Sequence, residues 1–177
     1  EEAVLTEQGK ELPAQSECAA DFAVSANIPD RYVPAPEQRM DLYRRIARIR
    51  SEEEADELVD ELIDRYGEPP RAVNNLISVA LLRERAARCG VAEISQKNGS
   101  LLFAAPKFDL RRVGALCGLE QYKNRLLFSA GEKPYLALRL RKGDDTLRCA
   151  EKLISDFEAA YETTEGGETP PNESKKI

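Results

Sequence analysis

The chemistry-bearing residues of this chain concentrate in one predicted helix, which begins after Ser51. Eight carboxylates lie between Glu52 and Asp64, and Arg65 is the only basic residue in the same stretch. Carboxylates at this density can exchange protons or bind a basic group. Like charges four residues apart cost an isolated helix roughly 0.2–0.5 kcal/mol a pair, and Asp64 lies near the negative end of the helix dipole. The pattern therefore favours docking of a basic surface, with an ordinary solvated face as the alternative.

Two carboxylates are the main candidates for such a contact. Glu61 and Asp64 are three residues apart, so they lie on neighbouring positions of the helix surface, away from its apolar stripe. A pair of this kind can accept hydrogen bonds from both sides of an Arg guanidinium. Glu57 and Asp60 are secondary candidates on the same side. We predict that these residues form an interdomain binding site.

Other kinds of site have little support in the sequence. The chain contains no His, so a Ser-His or Cys-His nucleophile pair cannot be built. It also contains no phosphate-binding loop and no Gly-x-Gly-x-x-Gly turn of the kind that binds nucleotides. Its four cysteines form no Cys-x-x-Cys pair, and we interpret them as free thiols. They are Cys18, Cys89, Cys117 and Cys149. We expect no catalytic residue, cofactor or metal in this chain, while carboxylate-based catalysis remains an alternative.

The charge balance argues against direct DNA binding. The chain has a net charge of −6, from 26 basic and 32 acidic residues, and an acidic protein repels phosphate unless it has a local basic patch. The basic clusters are Arg44, Arg45, Arg48 and Arg50; Arg83, Arg85 and Arg88; and Arg139, Arg141 and Lys142. No aromatic residues interleave with Arg83, Arg85 and Arg88, and we interpret the clusters as partners of nearby acids. An accessory nucleic-acid module remains the second hypothesis.

Hydrophobic periodicity predicts the elements that position these residues. A strand is predicted over 22–28. Helices are predicted over 37–50, with Met40, Tyr43, Ile46 and Ala47 facing inward, over 51–66, and over 70–89. Two hairpins follow, 91–96 with 100–105 around Asn98-Gly99, and 125–128 with 135–140. A short helix begins at Asp109 between the hairpins, and a final helix begins at Asp144 or Asp145 and carries apolar residues as far as Tyr161.

This order predicts an α+β fold with one hydrophobic core. N-terminal helices precede two β-hairpins that form a small, mainly antiparallel sheet, and a C-terminal helix closes the domain. We predict a linker or the end of a preceding element over 1–19, the domain over 20–162 and a disordered tail over 163–177. No signal or transit peptide and no membrane-spanning run is visible, and the first residue is not Met. We therefore expect a cytoplasmic fragment of a larger protein, with no membrane partner.

One segment resembles a known family. The run "IPDRYVPAPEQRMDLYRRIARIRSEEEADELVDELIDRYGEPPRAVNNLISVALLRERAARCGV" is similar to the C-terminal domain of bacterial transcription-repair coupling factors. Its most specific part is "ELIDRYGEPP", from Glu61 to Pro70. A looser likeness continues through both hairpins to about Tyr161. Contacts outside this motif cannot be carried over residue by residue.

The resemblance implies a regulatory role. It implies a cytoplasmic parent that translocates on DNA using ATP bound in its motor domains, removes stalled RNA polymerase and recruits excision repair. In that family this domain has no ATPase of its own. It folds back on an N-terminal module similar to the excision-repair helicase subunit and covers the surface that binds the damage-recognition ATPase, until polymerase is engaged. The resemblance implies that Glu61 and Asp64 meet Arg side chains of that module.

Four functions follow as hypotheses. The first is a non-catalytic, autoinhibitory interaction domain of such a parent. The second is an accessory module that holds DNA behind the motor. The third is a carboxylate-based enzyme, which a cleft of converging acids with raised pKa values would favour. The fourth is a scaffold domain that completes the fold of the motor.

Overall fold

The computed structural model describes the backbone of residues 17–165 and the side chains of residues 17–160; residues 1–16 and 166–177 lie outside it. The described chain has the predicted α+β architecture, which confirms the fold class. Its elements are β1 (Ala19–Asp21), α1 (Pro36–Ala47), α2 (Glu52–Tyr66), α3 (Arg71–Arg88), β2 (Glu93–Lys97), β3 (Ser100–Ala104), α4 (Leu110–Gly118), a 3₁₀ turn (Glu120–Tyr122), β4 (Leu126–Ser129), β5 (Tyr135–Arg139) and α5 (Thr146–Glu165).

The five strands form one sheet in the order β1-β2-β3-β5-β4. β1 pairs with β2 in parallel, and the other three pairings are antiparallel. Asn98 and Gly99 both have positive φ, 50° and 71°, which matches the two-residue turn that suits the twist of a hairpin. Both predicted hairpins are confirmed, and the sheet is mainly antiparallel as expected.

The predicted strand over 22–28 is wrong. Burial does alternate from Phe22 to Ile28, but the segment pairs with no strand. The Ala23 N–H donates to the side chain of Gln96 at 2.9 Å, and the Asn27 N–H donates to the Ala72 carbonyl at 3.3 Å. The hydrogen-bonding groups of this extended backbone are bound by a side chain and by the first turn of a helix. Its side chains therefore alternate between buried and exposed although the segment joins no sheet. The observed first strand is instead β1, which begins at Ala19, inside the segment predicted as a linker.

The predicted buried face of α1 is also wrong in part. Leu42 and Ile46 are its buried residues, whereas Met40 is 53% exposed and Ala47 is exposed. The inward face is rotated by about a quarter turn from the expected one. The helix ends at Ala47 rather than at residue 50, which lets Ile49 enter the core from the turn before α2.

The ends of α2 and α5 follow their capping residues. The Ser51 hydroxyl accepts a hydrogen bond from the Glu54 N–H at 3.2 Å, and Gly67 ends α2 with a φ of 80°, a conformation that glycine adopts at no steric cost. The Asp145 carboxylate accepts from the Arg148 N–H at 3.1 Å. α5 runs to Glu165, so the predicted tail begins as helix. The side chain of Tyr161 and the rest of that tail lie outside the described residues.

The buried apolar residues form two clusters, not the single core that the sequence predicted. The helical cluster joins α1, α2 and the first half of α3, around Ile46, Leu62 and Ile77. The sheet cluster joins the inner sheet face, α4, α5 and the second half of α3, around Phe103 and Ile154. α3 is long enough, at 18 residues, to contribute one end to each. Across the described residues, no helix is both long and apolar enough to cross a membrane.

Candidate functional site

The outer face of α2 is acidic because its inner face is fixed by packing. Ala55, Leu58 and Leu62 are buried. At about 100° per residue, the positions opposite them belong to Glu53, Asp60 and Asp64, which we call the acidic stripe. All three are exposed, and within residues 17–160 no Lys or Arg nitrogen lies within 4.0 Å of their carboxylates. The stripe therefore presents negative charge to solvent.

Glu61 lies beside the stripe and faces α1. Both of its carboxylate oxygens accept hydrogen bonds from the Arg45 guanidinium, with Arg45 Nη1 2.8 Å from Oε1, and Arg65 Nη1 donates to Oε1 at 2.9 Å. The hydrogen bonds from Arg45, and then those from Arg65, lower the pKa of Glu61 to about 2. Arg45 in turn has its pKa raised, first of all by Glu61. Two arginines of this chain thus neutralise Glu61.

This geometry separates the two main candidates of the predicted site. Glu61 closes an ion pair between α1 and α2, whereas Asp64 belongs to the acidic stripe. Arg65 is the only basic residue in the sequence of α2, but Arg45 approaches Glu61 from α1 as a second cation. Of the secondary candidates, Asp60 is on the stripe, and Glu57 lines the groove between α1 and α2 together with Arg48.

Several side-chain contacts that the sequence pattern did not predict hold the "ELIDRYGEPP" segment in place. The Tyr66 hydroxyl donates to Gln38 Oε1 at 3.1 Å, and the Tyr32 hydroxyl donates to the Gly67 carbonyl at 2.8 Å. The Arg65 guanidinium lies 5.1 Å from the centre of the Tyr66 ring. The segment therefore also fixes the corner between α1 and α2. No local pattern in the sequence indicates these contacts, whereas the predicted pairing of the Arg-rich end of α1 with nearby acids is observed in Arg45–Glu61.

Two of the three predicted basic clusters are engaged within the chain in part. Arg85 forms two hydrogen bonds to Glu158 from Nε and Nη2, Arg83 Nε donates to the Cys18 carbonyl at 2.6 Å, and Arg50 lies 3.4 Å from Glu84. The cluster at the end of β5 differs. Arg139, Arg141 and Lys142 are exposed, and none of them forms an ion pair with a described carboxylate.

The features expected of a carboxylate enzyme are sparse. Burial raises the pKa of Glu151, which lines an open cleft between α3 and α5 that also contains Glu52 and Ser78. In contrast, the pKa values of Glu53, Glu61, Asp144 and Asp156 are lowered. Burial also raises the pKa of Cys18 and Cys89 to about 11, which keeps both thiols protonated at neutral pH. Among the described residues, no group of three or more Cys, Asp or Glu side chains is placed to hold a metal ion.

Comparisons with known proteins agree on one family. Two similar relatives are the transcription-repair-coupling factors of Escherichia coli (strain K12), 35% identical over 79 residues, and of Bacillus subtilis (strain 168), 37% identical over 82 residues. These matches cover 44% and 46% of this chain but 7% of each relative, so the chain spans less than a tenth of their length.

A solved structure shows the same fold. The crystal structure of the C-terminal domain of transcription-repair coupling factor superposes with a TM-score of 0.67 at 20% sequence identity, covering 86% of this chain and 98% of the other. The sequence pattern of the TRCF domain family matches residues 22–111, just over half of the chain. That segment contains α1, α2, α3 and the acidic stripe. The chain therefore belongs to the TRCF domain family.

Proposed function

We propose that this domain is a non-catalytic regulatory domain of a transcription-repair coupling factor. In the proposed closed state, it docks on the N-terminal module of the same parent chain, the module similar to the excision-repair helicase subunit. Docking masks the surface that recruits the damage-recognition ATPase, and engagement of RNA polymerase by the parent releases it. ATP binding and DNA translocation belong to the motor domains of the parent, and this domain holds no cofactor.

The observation that carries the proposal is the uncompensated charge of the acidic stripe. Asp60 and Asp64 point away from both hydrophobic clusters and lack ion-pair partners among the described residues, although Arg residues are plentiful in the chain. Carboxylates in this state can accept bidentate hydrogen bonds from the Arg side chains of a partner without first giving up an ion pair within the domain. Such a polar contact is reversible, with a coupling of about 1–3 kcal/mol between the two binding events.

The structure changes which residues should carry the contact. Glu61 is already bound by Arg45 and Arg65, so an incoming Arg would have to displace or share those partners. We therefore propose Asp60 and Asp64 as the primary contacts, with Glu53 and Glu57 beside them. Glu61 then acts as a positioning residue that holds α2 against α1.

A charge reversal on the stripe tests the proposal. Asp60→Lys/Asp64→Lys should weaken binding of the 177-residue chain to the parent's N-terminal module by roughly tenfold or more, because attraction becomes repulsion at the contact. In the full-length parent, the same variant should bind the damage-recognition ATPase without polymerase. Glu120→Lys/Glu132→Lys is the matched control, because it makes the same charge change at exposed positions away from α2.

The outcomes separate the explanations. The docking contact is supported if the stripe variant binds more weakly and the control variant binds with unchanged affinity. Both variants should also melt close to the temperature of the unsubstituted 177-residue chain. Equal affinity of the stripe variant and the control would remove the acidic stripe from the interface and leave the regulatory role without a structural basis in this domain.

A further inference from the structure

The sheet has one face that no described element packs on. Alternation along the strands turns Ile94, Leu101, Phe103, Leu136 and Leu138 into the sheet cluster, where all are buried. The residues between them point the other way. This outer face consists of Ser95, Lys97, Ser100, Leu102, Ala104, Leu127, Ser129, Tyr135, Ala137 and Arg139. None of them belongs to, or packs against, either hydrophobic cluster.

An apolar row crosses the outer face. Leu102 on β3 is directly opposite Ala137 on β5, and Ala137 is directly opposite Leu127 on β4. The Leu127 side chain is 62% exposed, at the open edge of the sheet. Aliphatic side chains aligned in this way on adjacent strands form a continuous strip, of the kind that marks interaction surfaces on soluble proteins.

A basic edge flanks the apolar row. A second row of paired residues runs parallel to the apolar row, two residues further along each strand on the same outer face. It consists of Lys97 on β2, Ser100 on β3 and Arg139 on β5. Arg141 and Lys142 follow where the chain leaves β5. All four cations are exposed, and none of their side chains forms an ion pair with a described carboxylate. The Asp144 carboxylate does accept a hydrogen bond from the Arg141 backbone N–H at 2.8 Å. In a chain with a net charge of −6, Lys97 and Arg139 concentrate positive charge beside the apolar row.

The rest of the face indicates a protein partner rather than nucleic acid. Asp21 and Glu93 lie on the outward side at the β1 and β2 end, so the region that attracts an anionic partner is confined to the basic edge. A short acidic segment can stay within that region, whereas a phosphate backbone that crossed the sheet would be repelled at the other end. Tyr135 is the only aromatic residue on the outer face, so a platform for stacking successive bases is missing there. Aliphatic side chains beside a basic edge instead complement a helix or strand that carries Leu-like residues flanked by Glu or Asp.

We propose that the outer sheet face is a second docking surface, which binds an acidic amphipathic segment of a protein partner. The partner's apolar side chains cover Leu102, Ala137 and Leu127, and its carboxylates meet Lys97 and Arg139. The charge preference is the reverse of that of the acidic stripe. The two surfaces therefore select different partners, and this inference does not depend on the proposed regulatory role.

The test uses a defined probe with the whole 177-residue chain. A synthetic amphipathic peptide of about 18 residues, with Leu on one face and Glu on its flanks, is titrated against the protein by fluorescence anisotropy and by backbone amide NMR. A second peptide carries Lys in place of each Glu. We expect the acidic peptide alone to shift the amides of β3, β5 and β4, with an affinity that falls as salt rises.

Two variants and two controls locate the binding surface. Lys97→Glu/Arg139→Glu and Leu127→Asp should each weaken binding of the acidic peptide by roughly tenfold or more, because one reverses the complementary charge and the other places a charge in the apolar row. Leu110→Asp, at a leucine that is 67% exposed on α4, and Arg44→Glu/Arg111→Glu, at exposed arginines on α1 and α4, should leave it unchanged.

Several results would overturn the proposal. These are no binding of the acidic peptide, equal binding of the Lys peptide, or amide shifts confined to the helices. Tighter binding of single-stranded DNA that is lost in the same variants would assign the face to nucleic acid. Concentration-dependent dimerisation that Leu127→Asp abolishes would assign it to a second copy of the chain.

Discussion

The two halves of this domain differ in how they are held together and in what they present to a partner. Among the residues with described side chains, the helical half, built on α1, α2 and the start of α3, has 11 buried apolar residues in its cluster, whereas the sheet half has 19. Ion pairs reinforce both halves, such as Arg45–Glu61 in the helical half and Arg125–Asp144 in the sheet half, and the acidic stripe lies on the helical half. The half with the smaller core thus carries the acidic stripe, while the sheet half supplies most of the burial and carries the basic edge.

The comparison implies unequal local stability. Hydrophobic burial contributes roughly 25 cal/mol per Å² of apolar surface, while exposed ion pairs contribute about 0–1 kcal/mol each. The ion pairs of the helical half cannot offset its smaller core. Elements that rearrange on binding tend to come from the less stable part of a protein. We therefore expect the helical half to open at lower free energy than the sheet half.

The largest expected effect is in the sheet half. Phe103 is fully buried on the central strand β3, and Phe103→Ala should destabilise the protein by about 3–5 kcal/mol through lost burial and the remaining cavity. Urea denaturation followed by circular dichroism measures the change. Leu102→Ala is the matched control, because the neighbouring side chain points to the outer face; it should cost less than about 1 kcal/mol. Equal losses for both variants would contradict the assignment of the two sheet faces.

A cavity in the helical half should have a smaller and more local effect. Leu62 is 2% exposed, and Leu62→Ala should cost about 2–3 kcal/mol, at the low end for this substitution, because a small core near the surface can relax. Native-state hydrogen exchange should show protection lost in α1 and α2 while β3 and β5 keep theirs. Ile63→Ala, at a neighbour that is 39% exposed, is the control. A uniform loss of protection in all elements would show that the halves unfold as one unit.

The sequence predicted local structure well because its signals were local. Ser51 caps the start of α2 and Gly67 its end, as expected from the residues alone. Asn98-Gly99 forms the first hairpin turn and Asp145 caps the start of α5, also as expected. Period-two alternation over 22–28 was also observed. It was misread as a strand, because periodicity reports which side is buried and does not say where the backbone hydrogen bonds go.

The candidate site was predicted less well because its outcome depends on tertiary packing. The density of carboxylates on α2 was visible in the sequence, and their outward position follows from the helical period. That Arg45 would reach Glu61 from another helix, 16 residues away in the chain, depends on the angle and register between α1 and α2. The division into two clusters likewise depends on α3 passing from one to the other, which no local pattern encodes.

The smallest expected effect concerns pH and asks whether Glu61 belongs to the fold or to the binding surface. Its pKa in the folded domain is about 2, below the value of about 4.3 for an unfolded chain. The stabilisation from Arg45 is therefore complete above about pH 4.3 and disappears as the pH falls towards 2. Because both side chains are more than a third exposed, we expect a loss of about 0.5–1 kcal/mol from the helical half.

NMR titration of the Glu61 carboxyl group and hydrogen exchange in α2 at pH 5 and pH 3 measure this loss. Glu61→Gln should remove the pH-dependent loss of stability. The control is Glu57→Gln, which should retain that loss, because Glu57 is an exposed carboxylate one turn earlier with no ion pair among the described residues. If Glu61 instead titrates near 4.3, Arg45 does not hold it in solution. The Glu61 carboxylate would then be free to join Asp64 in a paired site for a partner's Arg. The helical half would in that case be stabilised by its apolar cluster without help from the Arg45–Glu61 ion pair.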